Sequence, residues 1–374
     1  MESTINTDKI GKLGFGYMRL PRNGEKIDYE HSNRMADIFL ESEGTYFDVA
    51  YVYDGAEIAL RETVIKRHPR ESFQVASKLP CGMIGPNNPD LKLEDLFNTS
   101  IERLGTDYID FYLLHGINSS SSKHAEEIGA WDYVAKLKKE GKIRHLGFSF
   151  HGYEEDLDEI LTAHPETEFV QLQINFFDWD NPKVNGRRLH EIAVKHKKPI
   201  IIMEPLLGGK LASAESPIAK IFKDFAPNAP IASWSLRFVD ELEGVFTTLS
   251  GMSNYEQIAE NIKIYSDIKP LSKEEHSVIE KAVEALKIIP NVACTECNYC
   301  KDCPSKIRIP QLIGLYNSYL VHKTDENLGG TYNWMTNGHG KAKDCTACGI
   351  CETACPQDLE IIDTIAKLST MFDK

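Results

Sequence analysis

Eight of the nine cysteines fall in the last quarter of this 374-residue chain, in two runs that each end in Cys-Pro. The first run is Cys294-Thr-Glu-Cys297-Asn-Tyr-Cys300-Lys-Asp-Cys303-Pro304. The second is Cys345-Thr-Ala-Cys348-Gly-Ile-Cys351-Glu-Thr-Ala-Cys355-Pro356. A cubane iron–sulfur cluster needs four thiolates at tetrahedral corners, and a Cys-x-x-Cys-x-x-Cys loop supplies three of them. In two-cluster ferredoxins the fourth cysteine, just before proline, crosses to the other cluster. The second run has that spacing residue for residue. The first has two residues instead of three before Cys303, so its crossing is the less secured of the two. Zinc is the competing reading, because Cys-x-x-Cys pairs also build zinc ribbons. Four cysteines at three-residue steps closed by Cys-Pro suit two [4Fe-4S] clusters better, and disulfides come third.

Thiolate ligands must stay reduced, so a cytoplasmic protein is expected, in a host with little oxygen. No signal-peptide pattern opens the chain, and no apolar run approaches the roughly 18 residues of a membrane span. A formal net charge of −14 argues against nucleic acid or an anionic membrane as partner.

A second set of chemistry-bearing residues lies upstream, at the ends of apolar segments. Candidate strands cover 13–18, 46–50, 73–79, 108–115, 143–150, 169–175, 199–205 and 245–251. They are rich in Ile, Val, Leu and Phe without clean alternation, as parallel strands buried on both faces are. Helical stretches such as 101–104, 131–139 and 258–264 separate them, one ending at Gly141, a left-handed cap. Eight strand–helix units over roughly 250 residues predict a (β/α)₈ barrel. A doubly wound sheet competes, but no Gly-x-Gly-x-x-Gly follows the first strand, and Gly14-Phe-Gly16 alone is too little. The expected organisation is a barrel over 1–270, a connecting helix over 271–292, and a small, mostly helical ferredoxin-like two-cluster domain over 293–374. Helices are expected at 305–323 and 357–372, with a polar loop over 325–343. The serine stretch 119–122 reads as a solvated connector.

Chemistry in such a barrel belongs at the carboxyl ends of the strands. Those ends carry Asp48 with Tyr53 just beyond, then Lys78, His115, Ser149, Gln171, Asn175, Glu204 and Gly251. A tyrosine titrates near 10 and needs help to donate a proton near neutrality. The Lys78 ammonium would stabilise the phenolate, Asp48 would hold the lysine charged and aimed, and His115 could orient a carbonyl oxygen. Each residue alone has a plainer explanation: a packing tyrosine, a solvated lysine, a strand-terminal histidine, a turn-capping aspartate. Together at successive strand tips they make a catalytic tetrad the better reading.

With these motifs the chain resembles the aldo-keto reductase superfamily, in particular its members fused to a C-terminal ferredoxin-like domain. The likeness rests on Gly14-Phe-Gly-Tyr-Met-Arg-Leu-Pro21, on Asp48-Val-Ala-Tyr-Val-Tyr53-Asp-Gly-Ala-Glu57, on Ser77-Lys78 and on Leu113-Leu-His115. It rests also on Gly147-Phe-Ser149, Gln171-x-x-x-Asn175 and Met203-Glu-Pro-Leu-Leu-Gly-Gly-Lys-Leu211. The resemblance implies hydride transfer from a nicotinamide cofactor to an aldehyde or ketone, with Tyr53 as proton donor. It implies Gly16 and Met18 beside the cofactor, although packing is the plainer role for Met18, as it is for Trp131, Trp179 and Trp234. Ser149 and Gln171 would grip the carboxamide, and Met203, Pro205, Leu206, Gly208 and Lys210 would cover the pyrophosphate. The family's Lys-Ser-x-x-x-x-Arg-x-x-Glu-Asn motif for NADP, aligned on Glu260-Asn261, falls here on Gly251, Met252, Ser253 and Gln257. Both cations that would clamp a 2′-phosphate are missing, and glutamine does not replace a bidentate arginine. NADH is therefore expected to serve at least as well as NADPH. Met203 stands where an aromatic residue often stacks on the nicotinamide, and Phe150 where an asparagine often follows the serine. Cys81, three residues past Lys78, reads as a buried thiol with no activating partner.

A hydride carries two electrons, whereas a [4Fe-4S] cluster takes one, and the usual agent that splits the pair is a flavin. No flavin fingerprint is present, although a barrel mouth can hold a flavin phosphate without one. Three readings follow. The barrel is a carbonyl reductase whose clusters are structural or sense redox state. Or the clusters exchange electrons with an external ferredoxin or flavoprotein through a bound flavin or substrate radical. Or the barrel has lost catalysis and the chain is an electron-transfer or docking module, which the intact tetrad argues against.

Overall fold

Ten strands form in the computed structural model, which describes residues 5–373 except 8, 9, 25, 87, 183, 215, 290 and 322–327. They are β1 (Leu13–Gly16), β2 (Arg22–Asn23), β3 (Lys26–Ile27), β4 (Tyr46–Asp48), β5 (Gln74–Leu79), β6 (Ile109–Ile117), β7 (Ile143–Phe150), β8 (Phe169–Gln173), β9 (Ile200–Met203) and β10 (Val245–Ser250). Eight of them close into a parallel barrel in the order β1-β10-β9-β8-β7-β6-β5-β4, while β2 and β3 pair antiparallel as a small hairpin. The barrel interior is filled by Tyr46, Phe111, Leu113, Phe169, Ile201 and Leu249, with edge-to-face rings at 5.1 Å for Tyr46–Phe111 and 5.2 Å for Phe111–Phe169. Gly147 is required by this packing, because a Cβ there would lie 2.5 Å from the Phe169 ring. Register places Gly16 opposite Asp48, Asp48 opposite Ala76 and Ser149 opposite Gln171, so successive strand tips reach the same end of the barrel.

Two segments differ from expectation. The serine stretch is the start of a helix, Ser119–Glu127, not a connector. The Asn118 carboxamide oxygen accepts from the Ser120 and Ser121 amides at 3.1 and 3.0 Å, and the Ser121 hydroxyl accepts from the Asn118 amide at 2.8 Å. This reciprocal cap satisfies donors that serine's weak helix propensity would leave to water. The expected loop over 325–343 contains a helix, Leu328–Met335; residues 325–327 lie outside the described residues. Tyr332 anchors that helix: it is fully buried, and its hydroxyl donates to Asp373 and accepts from the Ala342 amide, both at 2.7 Å.

The chain divides into two units, Met1–Glu280 and Lys281–Lys374, the boundary falling within helix Lys273–Lys287. In the second unit, helices Ile309–Val321 and Ile361–Phe372 join Leu328–Met335 around Leu312, Ile313, Tyr332, Ile361, Ile365 and Leu368. Six of the eight clustered cysteines pack against this core. No helix among the described residues is long and apolar enough to cross a membrane.

Candidate functional site

β4 ends on Asp48 and β5 runs through Lys78, and both side chains are buried. The Lys78 ammonium donates to Asp48 Oδ1 at 2.6 Å and to the Val49 carbonyl at 2.8 Å. Burial pulls the lysine pKa down and pushes the aspartate's up, and each is opposed by the charge of the other. Lys78 Nζ also lies 4.9 Å from the centre of the Tyr53 ring, which meets the His115 ring edge-on at 5.8 Å. Phenol, ammonium and imidazole therefore share one space at the barrel mouth. Burial, reinforced by the charge of Lys78, holds His115 well below the ordinary histidine range, so its imidazole is neutral at physiological pH.

The loop that carries Tyr53 is tied down by Glu57 and Ser77 of the quoted motifs and by Arg103, which the sequence did not single out. Glu57, buried at the start of helix Ala56–Leu60, accepts from the Ser77 hydroxyl at 2.7 Å and pairs with Arg103 at 3.3 Å. Arg103 also donates to the Tyr51 carbonyl at 3.0 Å and stacks on the Tyr51 ring at 4.3 Å. It reaches in from helix Leu93–Leu104, 46 residues from Glu57, and nothing local in the sequence announces that contact. His151 stands one residue past the end of β7 at Phe150 and carries no motif of its own. Its amide donates to the Ile117 carbonyl at 2.8 Å, and burial plus the Lys78 charge bring its pKa down to about 4.

Ser149 has a second task. The β6–β7 register slips between Leu114 and Ile117, a bulge that contains His115 and Gly116, the latter at φ +67°. The Ser149 hydroxyl accepts from the Gly116 amide at 2.9 Å and so fastens the bulge that aims His115. Its own proton is left to donate. Beside it, Gln171 donates to the Met203 sulfur at 3.4 Å, while its buried Oε1 has no partner among the described residues. A hydroxyl donor next to an orphaned carbonyl acceptor is the complement of a primary carboxamide, so these residues fit a nicotinamide. Asn175 is spent on structure: its amide donates to Asp178 at 2.9 Å and to the Glu204 carbonyl at 3.1 Å.

The remaining expected contacts divide by exposure. Gly16, Met18, Met203, Leu206 and Lys210 are half-buried and Gly208, Gly251, Gln257 and Glu260 exposed, whereas Pro205, Met252 and Asn261 are buried. Asn261 donates to the Ser250 hydroxyl at 2.8 Å and Met252 is only 1% exposed, so both act as packing groups. Cys81 is buried and its thiol is pushed up to about 12, which makes it inert.

In the second unit the two cysteine runs interleave. One cavity, with an empty volume of about 320 Å³, is lined by Cys294, Cys297, Cys300 and Cys355 against Pro310, Ile313 and Leu359. The other, of about 420 Å³, is lined by Cys303, Cys345, Cys348 and Cys351 against Ile307, Ile309 and Ile365, and Cys300 borders it as well. Each void thus meets three cysteines of one run and the pre-proline cysteine of the other. Among the described residues no three His, Cys, Asp or Glu side chains gather closely enough for a single metal ion; the thiols ring voids instead. Four soft donors around an apolar void fit a cubane cluster.

The sequence pattern of the Aldo/keto reductase family matches residues 12–284. The chain belongs to that family. The pattern of a 4Fe-4S dicluster domain matches residues 293–360, so the barrel is followed by a second, cluster-type domain. Among curated relatives, an aldo-keto reductase of Mycolicibacterium smegmatis is 27% identical over 70% of this chain and 84% of its own length. A probable aldo-keto reductase of Glycine max is 31% identical over 46% of this chain, which spans about half (49%) of that relative. Among solved structures, a holo aldo-keto reductase of Bacillus halodurans (23% identity, TM-score 0.57, 72% of this chain and 91% of that one) shares the fold. So does a Klebsiella pneumoniae aldo-keto reductase solved with NADPH, at 20% identity and the same TM-score, over 73% of this chain and 91% of that one.

Proposed function

We propose that the barrel reduces the carbonyl of an aldehyde or ketone with hydride from a nicotinamide dinucleotide, and that the second unit holds two [4Fe-4S] clusters. The observation that carries the barrel reading is the buried Asp48–Lys78 pair at 2.6 Å, with the Tyr53 ring 4.9 Å from the ammonium. When bound, the dinucleotide supplies a hydride and the clusters supply single electrons. Tyr53 donates the proton that the developing alkoxide needs. Lys78 stabilises the phenolate left behind, and Asp48 keeps Lys78 charged in a site where burial would neutralise it. His115, neutral and aimed by the Ser149-fastened bulge, orients the carbonyl oxygen. Ser149 and Gln171 orient the carboxamide. The loop after β10 offers Gly251 and Gln257 where a 2′-phosphate would want cations, which favours NADH at least equally. The family match to a dicluster domain and the two cysteine-lined voids support cluster ligation by Cys294, Cys297, Cys300 and Cys355 at one site and Cys303, Cys345, Cys348 and Cys351 at the other.

Tyr53→Phe tests the barrel reading. Loss of NAD(P)H-dependent carbonyl reduction by about 10²–10⁴-fold is expected, with dinucleotide affinity nearly intact. Unchanged turnover would sink it. A second reading, in which the clusters exchange electrons with an external ferredoxin or flavoprotein, is favoured by the exposure of Cys348 and of Ile350 (50%) beside the second void. NADH added anaerobically without other substrate separates the two. Bleaching of the iron–sulfur absorbance would support electron exchange and call for a bound flavin, while an unchanged band would leave the barrel a reductase whose clusters serve otherwise.

A further inference from the structure

We propose that the second unit exchanges electrons with a small acidic one-electron carrier protein, which docks on a basic strip beside the void ringed by Cys303, Cys345, Cys348 and Cys351. This rests on the reading of that unit as a two-cluster domain. The formal charge of −14 is divided unevenly: residues 281–374 hold ten Lys and Arg against eleven Asp and Glu, so nearly all of it belongs to the first unit. Charges further apart than a Debye length, about 10 Å at 0.1 M salt, are largely screened, so what a partner meets is set by the residues within that reach.

The two voids differ in the charges around them. The segments that line the first void, 294–300, 310–313 and 355–361, carry Glu296, Asp358 and Glu360 and no cation. The segment 303–309 that lines the second void carries Lys306 and Arg308, and Lys341 and Lys343 lead into Cys345. Tertiary structure joins these cations into one strip. A bridge pairs Ile307 with Gly340, the Gly340 amide donates to the Lys306 carbonyl at 3.0 Å, and the Ser305 hydroxyl donates to the Asp344 carbonyl at 2.6 Å. A Cβ at position 340 would collide with the Ser305 carbonyl oxygen, so only glycine lets the two segments approach this closely.

The strip's charge is unspent. The salt bridges of the second unit join Lys287 to Glu284 and Lys367 to Asp363, and none among the described residues uses Lys306, Arg308, Lys341 or Lys343. The nearby carboxylates are turned to the backbone instead: Asp344 accepts from the Lys341 amide at 2.8 Å, Asp373 from the Lys343 amide at 2.9 Å and Glu352 from the Ile362 amide at 2.9 Å. Lys306, Arg308 and Lys343 are exposed. Cys348 is exposed too, while the other seven clustered cysteines are part-buried, and Ile350, which also lines this void, is 50% exposed. An exposed ligand position brings two redox centres close, an apolar contact excludes water between them, and an unpaired basic rim steers a partner of opposite charge. A membrane surface would use the cations alone, whereas the apolar contact beside Cys348 suits a small, transient protein interface. The exchange balances as one electron: the carrier loses one and the cluster gains one, or the reverse, with no bond made or broken.

The test is anaerobic titration calorimetry of the holoprotein with a flavodoxin, an acidic one-electron carrier, at about 50 and about 300 mM salt. Wild type is compared with Lys306→Glu/Lys343→Glu and with Lys306→Ala/Lys343→Ala. A control, Lys220→Glu/Lys223→Glu on helix Pro217–Phe225 of the barrel unit, changes the net charge as much as the strip reversal does. Each variant is first matched to wild type in iron content and visible absorbance. The strip reversal is expected to weaken flavodoxin binding about tenfold or more, the alanine pair severalfold and the control within about twofold, with wild-type affinity falling about tenfold at the higher salt. Strip variants that bind within about twofold of wild type, or a control that loses as much as the strip reversal, would overturn the docking site while leaving the clusters in place. Wild type that fails to bind flavodoxin at low salt would overturn it too, and capture by vesicles rich in phosphatidylglycerol would then assign the strip to a membrane surface. Anaerobic protein holding zinc and no iron would overturn the two-cluster reading and this proposal with it.

Discussion

Asp48→Asn is the sharpest test of how the site is held together. The substitution keeps the shape and a hydrogen-bond acceptor at Oδ1 and deletes one charge. Lys78, fully buried, is then left with the Val49 carbonyl at 2.8 Å and an amide oxygen. Removing one partner of a buried ion pair costs about 3–5 kcal/mol. A second route gives the ceiling: neutralising an ordinary lysine at pH 7, about 3.4 units below its usual value of about 10.4, costs roughly 4.6 kcal/mol. The two overlap, so a loss of about 3–4.6 kcal/mol at pH 7 is expected. The sign of its pH dependence follows from direction. Burial lowers the Lys78 pKa and Asp48 raises it, so without Asp48 the folded lysine binds fewer protons than the unfolded one. Stability of the variant relative to wild type must then rise with pH, and the penalty shrinks to at most roughly 2 kcal/mol at pH 9. Anaerobic urea unfolding at the two pH values measures this by tryptophan fluorescence, since Trp131, Trp179 and Trp234 all lie in the barrel unit. A loss under about 1 kcal/mol at pH 7, with no recovery at pH 9, would refute the idea that Lys78 is a buried charge dependent on Asp48.

Three further outcomes are expected. Ser149→Ala frees the Gly116 amide and loosens the His115 bulge, so kcat should fall by about 10- to 100-fold; an unchanged kcat with a raised KM for NADH would mean Ser149 touches only the cofactor. Cys355→Ser should remove the cluster ringed by Cys294, Cys297 and Cys300, and iron per chain should drop to about half while the other cluster's signal persists on reduction. Loss of the signal from its own run would show that the ligation does not cross. Because burial and Lys78 keep His115 well below 6.5 and His151 near 4, neither gains a proton as pH falls from about 8 to 5.5, and kcat/KM should show no histidine step there. An apparent pKa near 6.5 in that profile would contradict the neutral imidazoles.

Much of the architecture was legible along the chain. The eight barrel strands fall within or close to the segments chosen by apolar runs and turn residues, because burial on both faces leaves a compositional trace in each strand separately. The misreadings came where local composition was overruled. Serines 119–122 form a helix because Asn118 and Ser121 cap each other, and 328–335 is helical because Tyr332 is locked by Asp373 and Ala342, 41 and 10 residues away.

For the site the same division holds. Residue type and spacing alone pointed to Asp48, Tyr53, Lys78 and His115 and to the two cysteine runs, since a strand's end and a Cys-x-x-Cys step are properties of a few neighbouring residues. Only the tertiary structure decided which side chains act on them. Ser149 fastens a bulge 33 residues away, Arg103 holds the Tyr53 loop from another helix, and Cys355 joins the first cysteine run across the second unit. Arg19, in the turn after β1, packs over Gly251 just past β10, more than two hundred residues later in the chain, and only barrel closure makes the two adjacent. Hydrophobic periodicity and motif spacing are read within a turn or a strand, whereas a salt bridge, an oriented hydroxyl or a crossed ligand set depends on which segments the closed sheet and the small core bring together.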